Sequence, residues 1–383
     1  MSGLVVLAAG GTGGHVIPAQ ALAAELRARG RALALITDRR GAGFGGALDS
    51  DAIHIVRAGR VTGRSVPGRL RGLAEVAVGV LQARRLLRRL RPAGVVGFGG
   101  YASVPAVYAA TQLGLPTLIH EQNAVLGRAN RLLAPRVRAI ATSFADTAQL
   151  APADRAKVEH TGNPVRAAIA AIGAARFPEA EADGPLPLLV TGGSQGAAVM
   201  ADVVPRALAA LAEPLRRRLR VAHQCRAEDI GRVRDVYRAA GMSADLAPFF
   251  EDLPERLGAA RLVVARAGAS TVAELAAAGR PAILVPYPAA ADDHQTANAA
   301  AMARTGGGWL IPEDAFTPEA LADRIEAFLR APSLLAQAAA RARDAGAPEA
   351  AARLADLVER RMPARGSGAN GARYGAGAGE IAA

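Results

Sequence analysis

The sequence predicts an α/β protein of two Rossmann-like halves, each built on a parallel sheet, facing each other across a deep cleft. Three observations lead there. Short β-branched or apolar runs alternate with longer helical patterns along the chain, as parallel βαβ units require. A strand, a glycine turn and a helix open each half: Leu4–Ala9 runs into Gly10-Gly11-Thr12-Gly13-Gly14, and Leu188–Thr191 runs into Gly192-Gly193-Ser194-Gln195-Gly196. At 383 residues the chain is also too long for a typical single core, so two domains are the default expectation.

In chain order, the expected strands of the first half are Leu4–Ala9, Ala32–Thr37, Ile53–Val56, Gly94–Phe98, Thr117–His120 and Ala139–Thr142. Those of the second half are Leu188–Thr191, Arg220–Gln224, Leu262–Ala265 and Ala282–Val285. The division falls near Gly162-Asn163-Pro164, giving domains over 1–163 and 164–345, with Glu179–Gly184 a polar loop inside the second. Ala350–Arg361 has helical spacing, and residues 346–362 are expected to return to the first domain. The Gly- and Ala-rich stretch 363–383 lacks apolar periodicity and is expected to be a disordered tail.

Composition narrows the class. With 51% hydrophobic and 21% charged residues the chain is globular. Its formal charge of +12, almost all of it arginine, suits an anionic membrane surface or a phosphorylated substrate. Nucleic acid is not expected, because no zinc-finger spacing or aromatic recognition run accompanies the charge. The single cysteine, Cys225, excludes an intramolecular disulfide and suits a reducing compartment. Met1–Leu7 lacks a basic n-region, so no signal peptide is expected, and no apolar stretch is long enough to span a bilayer. A soluble chain able to sit on a membrane is the expectation.

The chemistry-bearing residues lie where strands end. The Gly192–Gly196 turn offers free N–H groups and a positive helix end to a phosphate or diphosphate, or is simply a tight turn. His15 opens a helix, whose N-terminus disfavours the imidazolium. It is either a neutral base for a sugar hydroxyl or a histidine that packs the helix start. His120-Glu121-Gln122-Asn123 closes a strand, where open α/β sheets bind ligands, though an Asx-type loop reads the same way. In Arg266–Glu274, Glu274 is either a bidentate acceptor for two ribose hydroxyls or an ordinary surface carboxylate beyond a Ser270/Thr271 cap. Asp292-Asp293-His294-Gln295 hints at a metal, but no second cluster completes a ligand set, and an N-cap explains it equally. From Arg69 to Arg91, leucines and valines at helical spacing precede crowded arginines. That pattern fits a lipid-facing helix or a core helix with a basic face.

Taken together, GGTGGH at 10–15, GGYAS at 99–103, HEQN at 120–123, GNPVR at 162–166, GGSQG at 192–196 and RAGASTVAE at 266–274 resemble the MurG family. These bacterial transferases add N-acetylglucosamine to lipid I to make lipid II of peptidoglycan. The six stretches cover nearly the whole chain apart from the tail, and their order is specific. The resemblance implies a GT-B fold with the donor UDP-N-acetylglucosamine mainly on the C-terminal domain, and lipid I and the membrane on the N-terminal one. It implies inverting transfer without metal or other cofactor, at the cytoplasmic face of the inner membrane. It further implies roles in cell shape and division and contact with other cell-wall synthesis proteins.

By the same resemblance, Arg166 and Ser194 contact the diphosphate or adjoining sugar, Glu274 holds the ribose, and the backbone near Phe250 meets uracil. His294 and Gln295 face the sugar hydroxyls, Thr12, Gly13, Gly14 and Asn123 line the sugar side of the cleft, and His15 is the base. His294 replaces the glutamine of many members, and Phe250 a smaller aliphatic residue. A UDP-N-acetylglucosamine 2-epimerase on the same fold is the competing enzyme, and a nucleotide-binding surface adaptor the non-enzymatic one. The basic helix and the GGYAS and HEQN stretches favour the transferase.

Overall fold

The computed structural model describes residues 3–10, 13–39, 53–59, 66–178, 183–193 and 197–362. The expected tail at 363–383 and most of the expected polar loop at 179–184 lie outside them.

The first half runs β1 (Val5–Ala8), α1 (Gly13–Ala28), β2 (Leu33–Thr37), β3 (Ile53–Ile55), α2 (Val66–Leu90), β4 (Gly94–Gly97), α3 (Gly100–Gln112), β5 (Thr117–Glu121), α4 (Arg128–Leu133), β6 (Ala139–Thr142) and β7 (Val158–His160). Its sheet has the order β3-β2-β1-β4-β5-β6-β7, and every pairing is parallel. The second half runs α5 (Ala167–Ala174), β8 (Leu186–Thr191), α6 (Ala198–Ala210), α7 (Glu213–Arg216), β9 (Leu219–Gln224), α8 (Ile230–Ala239), β10 (Ala244–Ala247), α9 (Leu253–Ala259), β11 (Leu262–Ala265), α10 (Ala269–Ala277), β12 (Ala282–Leu284), α11 (His294–Thr305), β13 (Gly308–Leu310), α12 (Pro318–Arg330) and α13 (Ser333–Ala345). Its parallel sheet is ordered β10-β9-β8-β11-β12-β13.

The central strands are near-continuous Val, Leu, Ile and Ala runs because helices cover both faces. The ten strands expected from sequence are present, with ends shifted by at most two residues. Three further strands, β7 (VEH), β10 (ADLA) and β13 (GWL), lie at sheet edges. Each is only three or four residues long, without the apolar run that a two-face-buried strand needs. In each sheet the strand order reverses beside the opening strand, between β1 and β4 and between β8 and β11. The crevice beyond the carboxyl ends of such strands is where open α/β sheets bind ligands.

Helix α2 carries two stripes. Leu87 is buried in the first half's core, with Val80 and Leu90 packed against it. Leu70, Leu73 and Leu81 point outward, 62%, 52% and 56% exposed. The outward stripe continues into exposed Arg85 and Arg88, so the helix both packs the core and presents an apolar-then-basic face. No helix among the described residues is long and apolar enough to cross a membrane.

The last helix, α14 (Ala350–Arg361), follows the second half but packs on α1. Leu354, Leu357, Val358 and Met362 join Val5, Leu7, Leu22 and Leu26 in one buried cluster. Arg29 fastens it, pairing with Asp356 at 2.6 Å and Glu359 at 3.0 Å, and Arg31 Nη2 donates to the Met362 carbonyl at 2.9 Å. Truncating fully buried Leu357 to Ala is expected to lower stability by about 3 kcal/mol through lost apolar burial and a residual cavity. A urea midpoint unchanged from that of the parent chain would show that α14 is dispensable to the first half.

Candidate active site

Two strand ends of the first sheet meet at its reversal point. β1 turns through Gly10 into α1, and β4 turns through Gly99 and Gly100 into α3. Gly99 and Gly100 have φ of 79° and 68°, the left-handed region that glycine enters without a Cβ clash. A Cβ on Gly100 would lie 3.1 Å from the His15 Cδ2 atom and 3.3 Å from its Nε2. The missing side chains leave the space that the imidazole fills.

The HEQN segment closes β5 beside this turn. His15 Nδ1 lies 2.9 Å from Gln122 Oε1. Glu121, 2% exposed, accepts four N–H bonds. Its Oε1 takes the Asn123 backbone and side-chain amides at 3.0 and 3.1 Å, and its Oε2 takes Gly127 N and Asn130 Nδ2, both at 2.8 Å. Those bonds satisfy both buried oxygens and fix the loop carrying Asn123. His120 is fully buried, and desolvation pushes its pKa down to about 4.

The second half approaches from the other side. Fully buried Asn298 on α11 accepts from Ala124 N at 2.8 Å and donates to Asn123 Oδ1 and Ala267 O, each at 3.1 Å. Asp292 accepts from Arg131 at 2.7 Å and Arg128 at 3.0 Å, two arginines one turn apart on α4. The Arg128 bond leads the effects that hold its carboxyl below the usual carboxylate range. Asp292 and Asp293 both adopt left-handed backbone, with φ of 53° and 49°, a strain of about 1–3 kcal/mol each that the surrounding contacts must hold. His15, Tyr101, Asn123, Arg128, Asp292 and His294 line one cavity of about 370 Å³ between the halves.

A second feature is built from helix ends. Ser270 Oγ, in the first turn of α10, donates to the Gly14 carbonyl at the start of α1, 3.4 Å away. Neither helix has an acidic residue in its first turn, so two uncompensated positive ends converge. Beside them Arg166 and Glu274 form a two-pronged pair, Nε to Oε1 at 2.9 Å and Nη2 to Oε2 at 3.1 Å. Each carboxylate oxygen keeps a further lone pair, and the guanidinium keeps free N–H groups. The pair therefore orients both groups without saturating either.

Of the sequence-derived candidates, His15, Asn123 and His294 share the cavity. Gly13 and Gly14 begin α1, and Arg166 and Glu274 bind each other. Gln295 instead accepts from Tyr287 N at 2.9 Å, and His294 Nδ1 donates to the Ala291 carbonyl at 2.7 Å. The Phe250 ring is buried in the second half's core with Arg256 stacked 4.0 Å from its centroid, so only its backbone remains for a ligand. Thr12 and Ser194 lie outside the described residues. Sequence reasoning missed Asn298, whose signal was a lone amide in the run Ala297–Ala301, and the arginine partners of Asp292, which no local pattern marks.

Comparison with known proteins fits this geometry. The glycosyltransferase family 28 N-terminal domain matches residues 5–142, and the C-terminal domain of the same family matches residues 187–354. The chain belongs to glycosyltransferase family 28. A relative from Paramagnetospirillum magneticum is 56% identical over 94% of this chain and 97% of its own length. One from Rhodospirillum rubrum is 57% identical over 92% of this chain and 91% of its own. Both are named UDP-N-acetylglucosamine--N-acetylmuramyl-(pentapeptide) pyrophosphoryl-undecaprenol N-acetylglucosamine transferase. The crystal structure of Acinetobacter baumannii MurG superposes with a TM-score of 0.75 at 32% identity, over 94% of this chain and 99% of that one. The fold of this family 28 chain is therefore GT-B. A UDP-N-acetylglucosamine 2-epimerase structure shares the fold, at TM-score 0.63 and 12% identity, over 94% and 97% of the two chains.

The Asp292 contacts predict how the halves are held. Asp292→Asn removes the charge that binds Arg128 and Arg131, and the halves should separate more readily. A larger radius of gyration by small-angle X-ray scattering is the expected result; an unchanged value would assign closure to the Asn298 bonds.

Proposed function

We propose that the chain transfers N-acetylglucosamine from UDP-N-acetylglucosamine to the muramyl 4-hydroxyl of lipid I, giving lipid II for peptidoglycan synthesis. The observation that carries this is the meeting of the α1 and α10 N-termini, through Ser270 and the Gly14 carbonyl, one residue before the cavity-lining His15. Positive helix ends suit a diphosphate, and a neutral imidazole beside them suits a sugar hydroxyl. The names of relatives sharing more than half their residues with this chain favour the transferase over the epimerase.

In this mechanism His15 takes the proton of the muramyl 4-hydroxyl. The hydroxyl oxygen bonds to C1 of N-acetylglucosamine on the face opposite UDP. The C1–oxygen bond to the diphosphate breaks, UDP leaves with the electron pair, and an α-linked donor becomes a β-linked product. Arg166, Ser194 and the helix ends offset the charge growing on the leaving group, with no metal or other cofactor invoked. Glu274 accepts the ribose hydroxyls, the backbone at Phe250 meets uracil, and Thr12, Gly13, Gly14, Asn123, His294 and Gln295 surround the sugar. Closure of the halves excludes water and limits donor hydrolysis.

The division of labour belongs to the same proposal. Residues 1–163 take the acceptor and the membrane, residues 164–345 grip the donor, and 346–362 tie the halves together. Leu70, Leu73 and Leu81 with the arginines that follow them form a face suited to an anionic lipid surface. The chain would act as a peripheral protein on the cytoplasmic face of the inner membrane, beside other cell-wall enzymes, in growth, shape and division.

The test is transfer of radiolabelled sugar from UDP-N-acetylglucosamine to a short-chain lipid I analogue with EDTA present. Turnover is expected, and His15→Ala should lower kcat by about 10²–10⁴-fold with the donor KM little changed. Formation of the manno epimer without an acceptor would assign the chain to the epimerases, and donor binding with no turnover would favour an adaptor.

A further inference from the structure

A base needs a lone pair on the nitrogen that faces the hydroxyl, and a neutral imidazole carries only one. Which nitrogen holds it in His15 is set by a chain of bonds that begins outside the cleft.

His120 Nε2 lies 3.0 Å from the Gly162 carbonyl oxygen, which can only accept, so that nitrogen carries the His120 proton. Burial keeps the ring neutral, which makes His120 Nδ1 an acceptor. Gln122, 1% exposed, meets it with its amide nitrogen at 2.9 Å, and the same nitrogen donates to the His120 carbonyl at 2.9 Å. Both amide hydrogens are thereby used, and the amide cannot turn over. Its oxygen faces His15 Nδ1 at 2.9 Å and can only accept. His15 Nδ1 must therefore donate, and Nε2 keeps the lone pair. Among the described residues Nε2 has no hydrogen-bond partner, and His15 lines the cavity. One bond polarity thus runs from His15 through Gln122 and His120 to Gly162, the residue at the junction of the halves.

We propose that Gln122 and His120 are positioning residues that hold His15 in its Nδ1–H tautomer, with the Nε2 lone pair open to the cleft. This rests on His15 being the base. The role differs from the one a carboxylate would have in the same place: an amide fixes the tautomer without adding a charge that favours the imidazolium.

The experiment is NMR of the full chain labelled with ¹⁵N-histidine, with His15 assigned by His15→Gln, run beside steady-state transfer kinetics. In the parent chain Nδ1 should show the protonated shift and Nε2 the unprotonated one. Gln122→Leu should mix the two tautomers and lower kcat at least about 10-fold, with the donor KM within about 2-fold. Gln122→Glu keeps an acceptor for His15 Nδ1 but gives up the N–H bonds to His120, of which a protonated carboxyl restores only one. It should retain the Nδ1–H tautomer of His15 and keep kcat above that of Gln122→Leu. Tyr101, His120, Glu121, Arg128, Asp292 and His294, the other titratable or charged groups around the ring, are unaltered in both variants. Protonated Nε2 in the parent chain would overturn the proposal, as would Gln122→Leu with unchanged kcat and unchanged shifts. Full turnover by His15→Ala is a separate failure, which removes the base while leaving the tautomer as the spectrum reads it.

Discussion

The cleft depends on a backbone approach that no side chain permits. A Cβ on Gly10 would lie 2.7 Å from Ala102 Cβ and 2.9 Å from the Asp38 carboxylate and the Thr37 hydroxyl. At Gly100 it would press on the His15 ring, 3.1 Å from Cδ2, and at Gly99 it would lie 3.3 Å from Asn130 Nδ2. Bare backbone here lets α1 and α3 start side by side at the reversal point of the first sheet. His15 then reaches Gln122 on the next strand's loop, and the start of α1 reaches the start of α10 across the cleft. Widening these turns by one methyl group would displace the imidazole from the bond that orients it.

Around that point the halves meet through polar groups with fixed geometry. Asn298 joins Asn123, Ala124 and Ala267, and Asp292 joins two arginines. Such contacts are directional, so they hold the halves in one register. The Arg166–Glu274 pair fits the same logic, since each group is aimed before a ligand arrives and retains capacity to bind it.

Much of this was legible in the sequence because it is local. Glycine turns after apolar strands such as Leu4–Ala9 mark the reversal points, and His15 and His120–Asn123 announce themselves by sitting at strand ends. The edge strands β7, β10 and β13 were not legible, because three or four residues on a sheet rim need no apolar run. Helix α2 reads as one apolar pattern, whereas the fold divides it between a buried stripe and an exposed one. Partners far apart in sequence were invisible too. Asp292 meets α4 from more than 150 positions away, and Gln122 is an ordinary amide until His15 and His120 are found on either side of it.

Everything turns on whether the paired helix ends and Arg166 grip a nucleotide diphosphate unaided. Isothermal titration of UDP into the purified chain, with EDTA in both solutions, tests this most directly. One UDP per chain, bound with an affinity that EDTA does not weaken, is the predicted result. No binding heat at any temperature tried, or binding that appears only when a divalent ion is restored, would contradict it.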